Sequence, residues 1–222
     1  MASRGEKNDL RNISLSSKLI YLITKGEADA ENFPEKSAEI LRLVEAAARA
    51  EISFIQIREK RLPARLVFEL TEKAAKITRR FQTKLLVNDR ADIAFAAGAD
   101  GVHLTSLSLS AETIRRNFPK DFIVGVSTHT TAEAESAERQ GADFATFSPI
   151  FSTPGKGEPK GLAKLKEVCA RLKPFPVIAL GGIDETNYRE VLQIADGFAA
   201  IRFLNDTENL LSIKQDLATE NT

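Results

Sequence analysis

The chain has 222 residues, 43% of them hydrophobic, which is enough for a substantial single core. Lys+Arg number 31 and Asp+Glu 31, a formal net charge of zero. That balance argues against a nucleic-acid or membrane-surface binder, and it leaves room for a local basic cluster around a phosphorylated small molecule.

No apolar run approaches the ~18 residues of a membrane span. Residues 1–17 are polar and lack the apolar segment of a secretory signal; they read as a flexible extension ahead of a folded region over 18–218. The single cysteine, Cys169, excludes an internal disulfide and agrees with a reducing cytoplasm. It falls at apolar spacing within a helix, so core packing is expected of it.

Taken in order, Lys18 to Thr24 reads as a buried strand and Glu27 to Pro34 as a loop. Ile40, Leu43, Val44, Ala47 and Ala48 recur at helical spacing over 37–50. Ile52 to Ile57 is a second strand, closing in Gln56-Ile57-Arg58-Glu59-Lys60. Alternation puts Phe54, Gln56 and Arg58 on one face and Ile55 and Ile57 on the other. A greasy face suits packing under helices. The other turns cationic at its end, which is either an anion site or ordinary solvated charge.

Pro63 opens a helix that runs to about Arg80. A third strand over 84–87 ends in Asn88-Asp89-Arg90, followed by a short helix to Ala97. Strand four, 100–104, contains His103, and a helix covers 110–118. Strand five, 122–126, ends in Ser127-Thr128-His129. Thr130 and Glu133 then have capping-box spacing for a helix to Gln140. Strand six, 143–147, leads into a long loop, 148–160, that carries Thr153 and Lys156. A helix covers 162–172. Strand seven, 176–180, ends in Gly181-Gly182, and Asp184 is expected to cap the next helix. Strand eight, 197–201, precedes Arg202 and a last helix over 206–217.

Eight strands alternating with eight helices specify a single-domain α/β fold, the (β/α)8 barrel. A doubly wound open sheet is disfavoured because no G-x-G-x-x-G follows the first strand. Barrel sites form at the C-terminal ends of strands. One mouth should therefore collect Gln56, Arg58, Lys60, Asn88, Asp89, His103, Thr105, Ser127, His129, Thr153, Lys156, Gly181, Gly182 and Arg202.

Each of these carries a chemical expectation. Gly181-Gly182 either presents backbone N–H groups to a phosphate or makes a tight turn. Arg58, Lys60 and Lys156 supply charge for a second, more anionic group such as a diphosphate. Asp89 can hold Mg²⁺, cap the helix at Ala91, or both. His103, inside a strand, is expected to be a hydrogen-bonded core histidine. His129, past a strand end, is placed to move a proton near neutral pH.

Six stretches carry a resemblance beyond these general arguments: 54–60, 87–90, 98–104, 124–129, 148–156 and 177–183. In order and position they resemble the thiamine phosphate synthase and TenI family over roughly Lys18 to Leu204. The resemblance implies condensation of hydroxymethylpyrimidine diphosphate with a thiazole phosphate, giving thiamine phosphate and pyrophosphate. By it, Gln56, Arg58, Lys60, Asn88, Ser127 and Lys156 would hold the diphosphate, Asp89 the Mg²⁺, and Thr153, Gly181 and Gly182 the thiazole phosphate. Three positions depart from the synthase pattern: Ser108 replaces a second carboxylate, Gly155 replaces a threonine, and Arg202 replaces a small residue. The alternative within the family is a TenI-type thiazole tautomerase using His129; a third reading is a non-catalytic binder of a phosphorylated thiazole. A homo-oligomer is compatible with the sequence and not dictated by it.

Overall fold

The computed structural model describes residues 18–220, with side chains through 217. The extension expected over 1–17 lies outside the described residues. Eight strands are β1 (Leu19–Ile23), β2 (Phe54–Ile57), β3 (Lys84–Asn88), β4 (Gly101–Leu104), β5 (Ile123–Thr128), β6 (Phe144–Phe147), β7 (Val177–Leu180) and β8 (Gly197–Ala200). Between and after them run α1 (Phe33–Arg49), α2 (Ala64–Thr78), α3 (Ala91–Ala96), α4 (Ala111–Asn117), α5 (Thr131–Arg139), α6 (Gly161–Leu172), α7 (Tyr188–Ile194) and α8 (Thr207–Glu220). Every strand is parallel to its neighbours, and β1 pairs with β8, so the sheet closes. The (β/α)8 barrel expected from the alternation is the fold.

Alternate strand residues build two cores. Leu19, Tyr21, Ile23, Phe54, Leu86, Ile123, Phe144, Ile178 and Ala199 point inward and fill the barrel. Tyr21, Phe54 and Phe144 pack there ring to ring, with centroids 5.1 to 5.7 Å apart. Ile20, Leu22, Ile55, Ile57, Leu85, Ala145 and Val177 point outward under the helices. A one-residue slip in any strand would exchange these sets, so the two apolar faces hold the register. Cys169 is buried among the outward set, and burial pushes its thiol pKa up to about 12, as suits a packing residue rather than a nucleophile.

The closed end of the barrel is stitched by a repeated device. Asp100, Asp143 and Asp196 each stand just ahead of an even strand. Each carboxylate accepts the N–H at the start of the preceding odd strand: Leu85 at 2.8 Å, Val124 at 2.7 Å and Val177 at 2.8 Å. Ser53 does the same for Ile20 at 3.2 Å. Asp143 also pairs with Arg115. The strand starts therefore do not leave these donors bare.

Local boundaries differ from expectation at several places; β5 runs on through Thr128, so Ser127 and Thr128 lie within it and not after it. The first helix begins at Phe33, not Ser37; Pro34 lies in its first turn, where no intrahelical N–H is needed. Asp184 does not cap α7: its carboxylate accepts from Thr186 within the preceding turn, and Asn187 occupies the cap position. Asp89 does not cap α3 either; Arg90 stands at that position, with no side-chain cap bond. Thr130 does cap α5, accepting the Glu133 N–H, while Glu133 reaches back to the His129 N–H at 2.5 Å.

Candidate active site

The strand ends enclose a cavity of about 590 Å³ at the mouth of the barrel. Gln56, Arg58, Lys60, Asn88, His103, Thr105, Ser127, His129, Thr153, Lys156, Gly181, Gly182 and Arg202 all line it. Asp89 alone of the expected set does not. Sequence reasoning missed the apolar part of the wall, Ile23, Leu180, Ile183 and Ile201, together with Ser148 and Pro149. Inward alternation on β1 and β7 was the signal for Ile23 and Leu180.

The stretch 56–60 continues the alternation of β2 past its end. Gln56 is buried, and its side-chain amide donates to the Asn88 carbonyl oxygen at 3.1 Å. The Asn88 NH2 is thereby left to face the cavity. Arg58 is half-buried, with its backbone N–H on Thr24 Oγ1 at 2.8 Å. Glu59 turns the other way: its buried carboxylate accepts the N–H groups of Gly26 at 3.1 Å and Ala28 at 2.9 Å. So the one acidic residue of the stretch ties down the loop after β1 and stays out of the mouth.

Among the described residues no carboxylate lines the cavity, while Arg58, Lys60, Lys156 and Arg202 all do. Burial lowers the Lys60 pKa, and the neighbouring Arg58 and Lys156 cations lower it further; Asp89 pulls the other way. Lys156 belongs to the loop after β6, so that loop crosses the mouth towards β2. Three like charges in mutual range are relieved by a polyanion.

Gly181 and Gly182 form a second distinctive stretch of the wall. Both have positive φ, +101° and +66°. A Cβ on Gly181 would lie 2.9 Å from Pro149, and one on Gly182 would lie 2.7 Å from Phe151 Cβ and Ser152 O. The β6 loop is pinned there by the N–H groups of Ile150 and Phe151, which donate to the Leu180 and Gly181 carbonyls at 3.0 Å each. Among the described residues neither glycine N–H meets a protein acceptor. Tight turn and open donors thus coexist at one place.

The two histidines have different surroundings. His103 is buried between Tyr21 Oη at 3.1 Å and Ser127 Oγ at 2.9 Å, and desolvation, aided by Arg58, lowers its pKa to about 3. It is the hydrogen-bonded core histidine expected. His129 Nδ1 lies 2.9 Å from the Ser148 carbonyl oxygen. A carbonyl only accepts, so Nδ1 carries a proton there, and Nε2 meets no protein partner among the described residues at the cavity wall.

A metal has little protein to bind. Among the described residues no group of three His, Cys, Asp or Glu side chains gathers anywhere. Asp89 is exposed, in the left-handed region at φ +64°, with its backbone N–H on the His103 carbonyl. Its carboxylate makes no hydrogen bond or ion pair among the described residues. Ser108, which stands where a second carboxylate was looked for, accepts the Thr105 N–H at 2.7 Å and only braces its own loop.

Fold and mouth together define a (β/α)8 barrel whose open end is cationic and, among the described residues, lined by no carboxylate. Comparison with known proteins makes this specific: the model of the thiamine monophosphate synthase family matches residues 20–204. The chain belongs to that family. It is 40% identical over 189 residues to a putative thiamine-phosphate synthase of Geobacter sulfurreducens, covering 84% of each chain. To the thiamine-phosphate synthase of Methanobrevibacter smithii it is 31% identical over 214 residues, covering 95% of this chain and 97% of that one. The solved thiamine phosphate pyrophosphorylase from Pyrococcus furiosus superposes with a TM-score of 0.74 at 31% identity, covering 90% of this chain and 96% of that one.

Proposed function

We propose that this protein is a thiamine-phosphate synthase, joining hydroxymethylpyrimidine diphosphate to thiazole phosphate with release of pyrophosphate. The observation that carries the reading is the mouth itself. Arg58, Lys60 and Lys156 face it with no carboxylate among the described lining residues, and the unpaired Gly181 and Gly182 N–H groups face it from β7. Two separate anion sites suit two phosphorylated substrates.

In this reading the diphosphate lies against Arg58, Lys60 and Lys156, with the Asn88 amide and the Ser127 hydroxyl as further donors. The thiazole phosphate lies on Gly181, Gly182, Thr153 and Arg202. The bond between the pyrimidine methylene carbon and the diphosphate oxygen breaks, and both electrons leave with the diphosphate. The thiazole nitrogen then donates its lone pair to that carbon. Nothing in the step needs a protein nucleophile. The chain contributes neutralisation of the leaving group and alignment of two bound reactants.

Mg²⁺ would add charge neutralisation of the diphosphate. The residues present fit a cation that arrives with the diphosphate and takes Asp89 as its one protein carboxylate. They do not fit a centre held by protein alone. A cytoplasmic location belongs to the same proposal; among the described residues no helix is long and apolar enough to cross a membrane.

A second reading has its own observation, the bare Nε2 of His129: it could move a proton on a thiazole phosphate tautomer. One experiment separates the readings. The protein is incubated with both substrates and Mg²⁺, and thiamine phosphate and pyrophosphate are quantified. Absence of product at high enzyme overturns the synthase reading. Tautomer conversion that is lost in His129→Ala would then establish the second. Binding of the thiazole phosphate without either turnover would leave a non-catalytic binder.

A further inference from the structure

Three side chains run in a hydrogen-bonded line from the barrel core to its mouth. Tyr21 on β1 is fully buried, and its hydroxyl meets His103 Nδ1 on β4 at 3.1 Å. His103 Nε2 meets Ser127 Oγ on β5 at 2.9 Å. Ser127 is half-buried and lines the cavity. The seat of the imidazole is built for it: a Cβ on Gly125 would come within 2.9 Å of His103 Nδ1.

Counting protons along this line fixes its direction. The Tyr21 hydroxyl is fully buried, and His103 Nδ1 is its one polar partner among the described residues, so its proton has a single place to go. A neutral imidazole carries one N–H. Were that proton on Nδ1, the Tyr21 hydroxyl could only accept, and its own proton would face the rings of Phe54 and Phe144. A buried donor left unpaired is costly. With the proton on Nε2, Tyr21 donates to Nδ1 and His103 donates to Ser127 Oγ. The Ser127 proton then has no acceptor among the described residues, and it is left to the cavity.

We propose that His103 is a positioning residue which, held in one tautomer by Tyr21, makes the Ser127 hydroxyl an obligate hydrogen-bond donor to a phosphate oxygen of the leaving diphosphate. The identity of that acceptor rests on the synthase reading; the direction of the line rests on the three side chains alone. A hydroxyl that accepts from Nε2 cannot also spend its proton on His103, so that proton stays available to the anion. The line thus removes the repulsive orientation of Ser127, and Tyr21 acts on the ligand without touching it.

Two measurements on the full chain test this. Long-range ¹H–¹⁵N correlation at pH 7 reports the tautomer of His103, and the expected result is protonation at Nε2 only. Protonation at Nδ1, or an even mixture, overturns the proposal whatever the protein's activity. Calorimetric titration with inorganic pyrophosphate in Mg²⁺ tests the consequence. Ser127→Ala is expected to weaken binding at least about tenfold, the loss typical of a hydrogen bond to a charged group. Tyr21→Phe should weaken it severalfold in the wild-type background and not at all when Ser127 is already alanine. Equal weakening in both backgrounds means that Tyr21 acts only through packing, and overturns the relay. A wild-type chain that binds no pyrophosphate overturns the acceptor named here and the synthase reading together, and the tautomer result then decides the relay separately.

Discussion

Acidification should unfold this protein early, through one residue. His103 has a folded pKa of about 3, because burial and the Arg58 cation both oppose its charging. In an unfolded chain a histidine titrates near ~6.5. Between those values the unfolded state binds one more proton than the folded state, so stability rises with pH across the window and falls as pH drops through it. Each unit below the unfolded value costs about 1.36 kcal/mol until the folded pKa is reached. Moving from pH 7 to pH 4 therefore removes about 3 kcal/mol, a large share of the ~5–15 kcal/mol that holds a typical domain. The assay is urea denaturation at half-unit steps from pH 7 to pH 4, on the wild type and on His103→Gln. Carboxylates with lowered pKa, such as Asp92 and Asp184, also lose stabilising interactions towards low pH, but they are common to both proteins and cancel in the difference. The variant should be less stable at pH 7, since Tyr21 and Ser127 lose their partner, and its pH dependence should be flatter. Parallel curves for the two proteins would refute the reasoning.

Three further outcomes follow from the site. Lys60→Gln should weaken pyrophosphate binding about tenfold and flatten its salt dependence, with an unchanged or slightly raised melting temperature, because it also relieves repulsion from Arg58 and Lys156; titration at two ionic strengths and a thermal melt check this. Gly182→Ala should raise KM for the thiazole phosphate: the residue sits at φ +66°, and its new Cβ would push the 151–152 backbone of the β6 loop. The strain alone is about 1–2 kcal/mol, read as a lowered melting temperature. Gly125→Ala would place a methyl 2.4 Å from Phe144 Cζ and 2.9 Å from His103 Nδ1. It should destabilise by about 1–3 kcal/mol in urea titration and shift the His103 NMR resonances.

Much of the site was legible because barrel geometry is a rule about sequence position. Once eight strands alternate with eight helices, whatever follows a strand lies at the mouth. That is why Gln56, Arg58, Lys60, Asn88, Ser127, Thr153, Lys156, Gly181, Gly182 and Arg202 could be gathered from strand ends alone, and why all of them line one cavity. The period of two in β2 also separated Phe54 and Gln56 from Ile55 and Ile57 correctly.

Direction and partnership were decided by the folded chain, because they depend on residues distant in sequence. Nothing in Glu59 says that it will bind the N–H groups of Gly26 and Ala28 and so stay out of the cationic mouth. Ser108 is bound to Thr105, and Asp89 is left with a bare carboxylate at φ +64°. The Ala-Asp pairs ending at Asp100, Asp143 and Asp196 recur visibly along the chain, yet their use as strand clamps needs the closed sheet. His103 read as a core histidine from its strand alone, but its tautomer is set by Tyr21, 82 residues away. Periodicity is local and survives in sequence; the polarity of a hydrogen bond belongs to the pair, and only the closed barrel brings the pairs together.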